Sequence, residues 1–518
     1  MEFSQFWNRL KIQQKYAIIS TFLFGIFSHG AMIFNKFSNH DDLRYMFTGG
    51  TTFALGRWAL FFAEKLKNLF FQDNLYSIPA VIGFFTFICL AVVSCLLIDL
   101  FEIRSVNFSI LLSGIMVSIP VVACMFGYMF TAQFYVLAIL FAVWGPWLIL
   151  KKKQWYWHLT GTAMMTASLG IYQAYLSIML SVLLLGLVKT IAEAESTGGR
   201  KSALRRLSLC LVCGILALAL YFGLMFLSLR INGLQLSDYK GLNSAGMLSF
   251  DKYFHRIRLS YSEFFRPEKK TPYNVFPGSS LMIYEGLVVF SAFLYMISVI
   301  RTLKKSALCG VLLIFCGVLI PVCVNAEFLM ADAYDCYAMM VYAVTVFIVF
   351  IVWQFQHVIG SIHDARTGLL CFAVTLGLGM MLLVFLRFDN VCYTRLEIAQ
   401  TSAKRFFTSL ITRMQSEPGY RASMPVAYIG APQIVPWDPT LPEKDEFDVV
   451  NIYPFWEMRH EIGGPWKSFM SIWFDFSPRE AVSADYMNLP EVKAMPCYPE
   501  YGSIKVIDDT LVVKLSGD

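Results

Sequence analysis

Long apolar runs separated by short polar stretches fill the first three quarters of the chain. A helix that spans a membrane needs about 20 mostly apolar residues, and nine runs have about that length. They cover residues 14–34, 77–98, 106–124, 131–150, 207–229, 281–300, 306–325, 336–353 and 367–387. A further segment, 155–190, is too long for one span, and its polar centre at Tyr172-Gln173 predicts two short helices. The pattern therefore predicts about eleven transmembrane helices.

Basic residues between these runs predict how the helices are oriented. Short loops rich in Lys and Arg stay on the cytoplasmic side of a membrane. Lys151-Lys152-Lys153 and the loop 189–206 are both basic, so an even number of crossings must separate them, and a break at Tyr172-Gln173 supplies it. We expect a cytoplasmic amino terminus, outer loops at 35–75 and 231–280, and an outer carboxy terminus.

The composition agrees with a membrane protein. Hydrophobic residues make up 57% of the chain and charged residues 15%, against 45–50% and about 25% in soluble globular domains. The net charge of +6 is small and is not clustered as a nucleic-acid footprint would be. We therefore expect membrane lipids, and no nucleic acid, among the partners.

The last 130 residues differ from the rest. Residues 389–518 contain 12 Lys and Arg against 18 Asp and Glu, and 12 of the 19 prolines. We expect a membrane body over 1–388 and a small outer α/β domain over 389–518. A helix over about 393–416 and strands at 424–430, 448–453, 503–508 and 510–515 are predicted there. Cys392 and Cys497 can form a disulfide if this part faces an oxidising compartment.

The first outer loop carries the strongest candidate chemistry, in Asn39-His40-Asp41-Asp42. A carboxylate can accept the proton of an attacking hydroxyl, which is general-base catalysis, and a neighbouring carboxylate can orient that hydroxyl. The alternative is structural, because Asp is a favoured N-cap residue and the pair can simply begin the next helix.

Residues 43–71 predict helices that lie along the membrane surface, because large apolar side chains alternate with Arg and Lys. Gly49-Gly50 divides this stretch into two pieces. Arg57, in Gly56-Arg57-Trp58, is the best candidate for binding a lipid phosphate, because guanidinium matches phosphate geometry. The alternative is that Arg57 extends to lipid headgroups in general.

Other polar positions allow two interpretations each. Arg256 and Arg258 are either a second phosphate contact or part of a solvated basic loop. Tyr172 and Gln173 either line a sugar pocket or only separate two short helices. Glu327, Asp332 and Asp335 either bind acceptor hydroxyls or are outward-facing polar residues, and we favour the second interpretation.

The acidic first outer loop, Gly56-Arg57-Trp58 and the Tyr172-Gln173 break together resemble a known family. They are similar to the membrane glucosyltransferases that include serotype-converting O-antigen enzymes, and more broadly to the GT-C class. The resemblance covers roughly residues 1–390. It implies an all-α, GT-C-like polytopic fold in the bacterial cytoplasmic membrane.

The resemblance also implies an activity. A sugar, usually glucose, passes with inversion from a polyprenyl-phosphate donor to a surface polysaccharide such as O-antigen. The catalytic base falls on Asp41 or Asp42, with Asp41 slightly preferred. Arg57, Arg256 and Arg258 would bind the donor phosphate, and substrate binding falls on His40, Arg44, Tyr172 and Gln173. No cofactor is implied and a divalent metal is left open, while a cytoplasmic-side donor synthase and a donor flippase are the implied functional partners.

Two other classes of protein compete with this interpretation. A lipid-linked sugar transporter or flippase would carry ionisable residues inside its spans, and the predicted spans are almost free of them. A scaffold without chemistry would keep its partners after both first-loop carboxylates are removed, whereas an enzyme would lose activity.

Overall fold

The computed structural model describes residues 3–50, 53–194, 197–237, 250–269, 271, 273–330, 336–359, 365–431 and 462–517. Within these ranges the chain is mostly helical, with a single small sheet near its end. The predicted strand at 448–453 lies outside the described residues, as do Asp332 and Asp335.

Seventeen α-helices precede the sheet in the described part of the chain. They are α1 (Phe3–Arg9), α2 (Ile12–Ile33), α3 (His40–Tyr45), α4 (Trp58–Phe71), α5 (Pro79–Leu100), α6 (Val106–Ser118), α7 (Pro120–Gly127), α8 (Met129–Lys151), α9 (Trp155–Ile171), α10 (Leu176–Ala192), α11 (Thr197–Ile231), α12 (Phe250–Phe265), α13 (Ser280–Lys305), α14 (Ala307–Val324), α15 (Glu327–Met330), α16 (Ala343–Val358) and α17 (Ala365–Gln415).

The protein is a multi-pass membrane protein. Nine helical stretches of the described chain are long and apolar enough to cross a membrane, with α6 and α7 forming one of them around Pro120. The other two predicted spans coincide with α9, of 17 residues, and α16, of 16 residues. Every predicted run therefore falls on a helix, and the count of eleven crossings remains a prediction.

The two basic loops that were predicted to share a side lie at the same end of the bundle. Lys151, at the end of α8, and Lys189, near the end of α10, lie 3.6 Å and 3.2 Å from the carboxylate of Glu102. Asp99, at the end of α5, pairs with Lys11 just before α2 at 2.8 Å. These contacts agree with the prediction that an even number of helices, here α9 and α10, separates Lys151 from Lys189.

The centre of the bundle is formed by α8, which packs against α5, α9 and α10. The approach of α8 to α9 depends on glycine, because a Cβ on Gly161 would lie 2.7 Å from the carbonyl oxygen of Gly145. Small residues at such crossings let two membrane helices come into backbone contact.

Two helices outside the spans turn their apolar side chains outward. On α4, Phe62, Leu66 and Phe70 are between 62% and 78% exposed, whereas Glu64 and Lys67 are buried. On α12, Phe250 and Phe254 are exposed and Arg256 is buried. This inverted burial suits helices whose outer face contacts lipid at the membrane surface.

The carboxy-terminal part contains β1 (Val426–Ile429), α18 (Gly464–Phe474), α19 (Ser483–Met487), α20 (Pro490–Ala494), β2 (Ile504–Ile507) and β3 (Thr510–Lys514). The strand order is β1-β3-β2, with β1 parallel and β2 antiparallel to β3. Asp508 and Asp509 both have positive φ, as a tight two-residue hairpin requires. The predictions of these three strands are confirmed.

Alternate strand residues enter different hydrophobic clusters, because successive side chains of a strand point to opposite faces. Val426 and Tyr428 pack with Phe469 of α18, and Ala427 and Ile429 pack with Val492 of α20. The sheet is therefore covered by helices on both faces.

The long helix α17 connects the membrane bundle to this sheet. Its 51 residues span roughly 75 Å at 1.5 Å per residue, far more than the ~30 Å of a bilayer core. It is continuous across the predicted boundary at 388–389, and its second half packs in the cluster of the sheet.

Cys392 is buried on α17 and is a free thiol, as is Cys497, so the suggested disulfide is absent.

Candidate active site

Asp41 and Asp42 lie on the short helix α3, and neither Asp is its cap. Asn39 is the N-cap residue, and its side-chain oxygen accepts the backbone N–H of Asp42 at 2.8 Å. The capping interpretation of Asp41 and Asp42 is therefore wrong, because the preceding residue already fills that role.

Asp42 is fully buried and its carboxylate is engaged on both oxygens. Oδ2 lies 2.6 Å from Lys36 Nζ and accepts the Ser38 hydroxyl at 2.6 Å. Oδ1 accepts the backbone N–H of Phe130, at the start of α8, at 3.1 Å. These contacts fix α3 against the bundle and leave Asp42 outside the lining of the cavity described next.

Asp41 lies beside a cavity of about 580 Å³ at the bundle end opposite the Glu102 contacts. Its side chain is 35% exposed, and His40 Nε2 lies 3.7 Å from its Oδ2. The His40 ring meets Tyr128 edge to face. Residues lining the cavity include His40, Asp41, Arg44, Tyr45, Arg57, Tyr128, Phe130, Tyr135, Tyr172, Gln173, Glu327 and Tyr337. Such a mainly aromatic and apolar wall with a few charged groups is typical of a small-molecule site.

Arg57 reaches the same cavity from the amino-terminal end of α4. The preceding Gly56 has φ +72°, and a Cβ there would lie 2.8 Å from the hydroxyl of Tyr221, so the turn that presents Arg57 requires glycine. The guanidinium donates to the Tyr135 hydroxyl at 3.1 Å and stands 5.0 Å from the ring centre of Tyr172. Arg57 lies at the amino-terminal end of α4, which is the positive end of the helix dipole.

The break at Tyr172-Gln173 is confirmed and lies in the cavity wall. α9 ends at Ile171, a 3-10 turn covers Gln173–Tyr175, and α10 follows. Tyr172 stacks on Tyr135 with ring centres 4.6 Å apart. The Gln173 side-chain amide donates to the carbonyl oxygen of Leu55, which joins this break to the loop that carries Arg57.

A side chain of α4 holds the loop at Gly49-Gly50 in place. The backbone N–H of Gly50 donates to Glu64 Oε1 at 2.9 Å, and Gly50 lines the cavity. Burial of Glu64 raises the pKa of its carboxyl group to about 7.

The structure does not bring Arg256 and Arg258 to this cavity. Arg256 is buried on α12 and donates to the carbonyl oxygen of Leu329 at 3.2 Å. Arg258 is exposed on the same helix. Of the predicted phosphate ligands, Arg57 alone lines the cavity within the described residues, and Arg44 is a second cation there.

Glu327 differs most from its predicted position. It is 1% exposed and lines the cavity, so its interpretation as an outward-facing polar residue is wrong. Burial raises the pKa of its carboxyl group to about 8. Its only signal in the sequence is a carboxylate in a short turn between two apolar runs.

The described ranges contain no cluster of metal ligands. Among these residues, no group of three or more His, Cys, Asp or Glu side chains could hold a metal ion. The neighbouring side chains of His40 and Asp41 supply only two ligands, fewer than the three or four protein ligands of a typical zinc site.

Comparison with known protein families identifies the family of this chain. The family model described as Glucosyl transferase GtrII matches residues 30–352, more than half of the chain. The matched range includes all the cavity residues named above. No curated protein and no solved structure matches the chain.

Proposed function

Because the chain belongs to the GtrII glucosyl transferase family, and is thus a membrane glycosyltransferase, we propose that it moves glucose from a polyprenyl phosphate to a surface glycan. Asp41 is the general base in this proposal, and inversion accompanies transfer. The observation that carries it is that Asp41 and Arg57, from two different segments of the first outer loop, line one cavity.

The reaction needs one proton acceptor and one phosphate site. The acceptor hydroxyl attacks the anomeric carbon, and a new C–O bond forms as the bond between that carbon and the phosphate oxygen breaks. Asp41 takes the hydroxyl proton, since its carboxylate is half-exposed beside the cavity and not held by Lys36 as Asp42 is. Polyprenyl phosphate leaves with the bonding electron pair. General-base catalysis of this kind contributes about 10²–10⁴ in rate.

Arg57 is the group best placed to bind the donor phosphate. Its guanidinium is held against Tyr135 and Tyr172, so it is oriented before the donor arrives, and preorganised cations stabilise developing negative charge on a leaving group. Arg44 adds a second positive charge to the cavity.

The surroundings of Arg57 suit a lipid-linked donor. α4 begins directly after Arg57 and exposes Phe62, Leu66 and Phe70. An exposed apolar face of this kind lies at the boundary between headgroups and acyl chains. A phosphate bound at Arg57 would then be at headgroup depth, with its polyprenyl chain in the bilayer.

The orientation follows from the basic helix ends. Lys151 and Lys189 lie at one end of the bundle, and we place that end in the cytoplasm. The cavity and the carboxy-terminal sheet then face outward from the bacterial cytoplasmic membrane. In this arrangement a cytoplasmic-side synthase supplies the donor and a flippase delivers it, as the GT-C class implies.

A lipid-linked sugar flippase is the second candidate, and one observation favours it. His29 of α2 and Asp389 of α17 are fully buried within the bundle, so the spans are less free of ionisable groups than their sequence suggested. His29 Nδ1 lies 2.7 Å from the Tyr393 hydroxyl, and the Ser28 hydroxyl donates to Asp389. Buried ionisable groups of this kind often mark a transport pathway, although here their neighbours satisfy most of their polar atoms.

One experiment separates the two functions. Purified protein in nanodiscs receives synthetic polyprenyl-phosphate glucose and a glycan acceptor, and mass spectrometry follows the acceptor. We expect its mass to rise by one hexose and polyprenyl phosphate to be released. Transbilayer movement of the donor in proteoliposomes without any glycan product would instead favour the flippase.

A further inference from the structure

The carboxyl group of Glu327 lines the cavity. Glu327 begins the short helix α15, and its side chain is 1% exposed. Neither of its oxygens has a hydrogen-bond partner among the described residues. An unpartnered buried polar group costs about 1–3 kcal/mol, so folding places Glu327 there at the expense of stability.

The neighbours of Glu327 do not satisfy its carboxyl group. The Ser177 hydroxyl and the backbone N–H of Glu327 itself lie near enough to lower the pKa of the carboxyl group, but neither makes a hydrogen bond of normal geometry with it. The Ser177 hydroxyl instead donates to the carbonyl oxygen of Ala174 at 3.1 Å. Arg256, on the helix that packs against α15, donates to the carbonyl oxygen of Leu329. This guanidinium group is therefore engaged by a backbone carbonyl.

Glu327 lies beside the part of the cavity wall to which substrate binding was assigned. α15 contacts the 3-10 turn Gln173–Tyr175, and Gln173 and Ala174 line the same cavity. Arg57 and Asp41 line it as well, from a different part of the chain. A ligand whose phosphate lies at Arg57 and whose reacting carbon lies near Asp41 would bring other ring positions toward this wall.

We propose that Glu327 binds a hydroxyl group of the transferred sugar and thereby contributes to the choice of sugar. This inference rests on the proposed function. A sugar hydroxyl can donate and accept at once, so it supplies a partner that the described residues around Glu327 do not. A site built around such a hydrogen bond discriminates against a sugar that lacks or misplaces the hydroxyl, because the buried group is then left unpaired.

The protonation state of Glu327 agrees with an anionic donor. Burial holds its pKa at about 8, so at neutral pH the carboxyl group is mostly protonated. A neutral carboxyl group donates one hydrogen bond and accepts others, and it does not repel the donor phosphate as a carboxylate would.

The test is a binding measurement, which needs no turnover. Native mass spectrometry or calorimetry in nanodiscs compares polyprenyl-phosphate glucose with sugar-free polyprenyl phosphate. The variants are Glu327→Met, which is apolar and of similar size, Glu327→Gln, which keeps a neutral donor and acceptor, and Arg57→Ala as a control for the phosphate.

We expect Glu327→Met to weaken binding of the glucosyl lipid by about tenfold or more and to leave binding of the sugar-free lipid as in wild type. Glu327→Gln keeps most of the wild-type affinity for the glucosyl lipid. Arg57→Ala weakens both lipids. The melting temperature of unliganded Glu327→Met equals or exceeds that of wild type, because an unpartnered buried polar group has been removed.

Three other outcomes would overturn the inference about Glu327. If wild type binds the glucosyl lipid and Glu327→Met binds it equally well, or loses both lipids to the same degree, Glu327 does not contact the sugar. A melting temperature several degrees below wild type in Glu327→Met shows a structural role instead and also overturns the inference. Wild type that binds neither lipid contradicts the proposed donor as well.

Discussion

The carboxylate of Asp42 accepts the backbone N–H of Phe130 at 3.1 Å, which ties α3 to the start of α8. Its neighbour Asp41 lines the cavity that Phe130 also lines. Consecutive residues on a helix project about 100° apart, so two adjacent carboxylates have different surroundings here. One holds the loop in place, and the other is available for chemistry.

Replacing Asp42 therefore affects stability first. In Asp42→Asn the buried contact with Lys36 loses its charge and the amide cannot accept all three hydrogen bonds. We expect a loss of about 1–3 kcal/mol in unfolding free energy, seen as a lower melting temperature in detergent. Asp41→Asn is the matched control and keeps the wild-type value. Equal melting temperatures for both variants would show that Asp42 does not anchor α3.

Arg57 is predicted to act on the phosphate and not on the sugar. Arg57→Ala weakens binding of sugar-free polyprenyl phosphate, and Arg57→Lys recovers only part of it because the bidentate guanidinium is lost. Tyr135→Phe, which removes the hydroxyl that Arg57 contacts at 3.1 Å, is expected to have a smaller effect. Calorimetry with the lipid phosphate measures all three. Unchanged affinity in both Arg57 variants would mean that Arg57 only contacts headgroups in general.

Donor binding is predicted to depend on pH through Glu327. Its pKa is raised to about 8 from an unfolded value near 4.5, so the protonated form is favoured in the folded protein. Because the folded protein keeps this proton to a higher pH than the unfolded chain, the part of the unfolding free energy that depends on Glu327 is highest below about pH 4.5 and falls as the pH rises from there through 8. Affinity for the glucosyl lipid falls over the upper part of that range, as the carboxyl group ionises near the phosphate.

Other titratable or charged groups face the same cavity or flank α15, so a variant is needed to isolate Glu327. They are His40, Asp41, Arg44, Tyr45, Arg57, Tyr128, Tyr135, Tyr172, Tyr175, Arg256 and Tyr337, and Glu64 supports the loop at Gly50. Glu327→Gln removes the fall in affinity near pH 8 if Glu327 is its source. An unchanged pH profile in Glu327→Gln would assign the fall to another group.

The carboxy-terminal region is predicted to position the acidic helix. Leu43, on the helix that carries Asp41, is buried in the same cluster as Phe407 and Phe469 of the carboxy-terminal region, and α18 contacts α3. Leu43→Ala removes that contact and is expected to lower kcat for transfer and to destabilise the protein by about 2–5 kcal/mol.

Leu308→Ala is a suitable control for Leu43→Ala, because Leu308 is 56% exposed on α14 and lies outside this cluster. A Leu43→Ala variant that keeps wild-type kcat would show that the carboxy-terminal region does not influence the site.

Much of the helical body can be predicted from sequence because membrane spans require long apolar runs. The break at Tyr172-Gln173 is predictable for the same reason, since an apolar run too long for one span must turn where its residues become polar. The hairpin at Asp508-Asp509 can be predicted from its local turn and strand residues.

Burial could not be predicted from sequence in the same way. In the sequence Glu327 resembles any polar residue in a short turn between two apolar runs. Its burial depends on contacts with the turn at Gln173–Tyr175, which lies far earlier in the chain. The amphipathic pattern of α12 does not reveal which face is inside, because at a membrane surface the apolar face can contact lipid. Arg256 is consequently buried, and the exposed side of that helix carries Phe250 and Phe254.

The most direct test of the proposed mechanism is the transfer rate of Asp41→Asn. Asn is close in size to Asp but cannot accept a proton at neutral pH, and the helix cap at Asn39 is untouched. We predict that transfer from polyprenyl-phosphate glucose falls by about 10²–10⁴, while the melting temperature and donor affinity stay near wild type. A variant that keeps more than about a tenth of the wild-type rate, a smaller loss than a general base should cause, would contradict the assignment of Asp41.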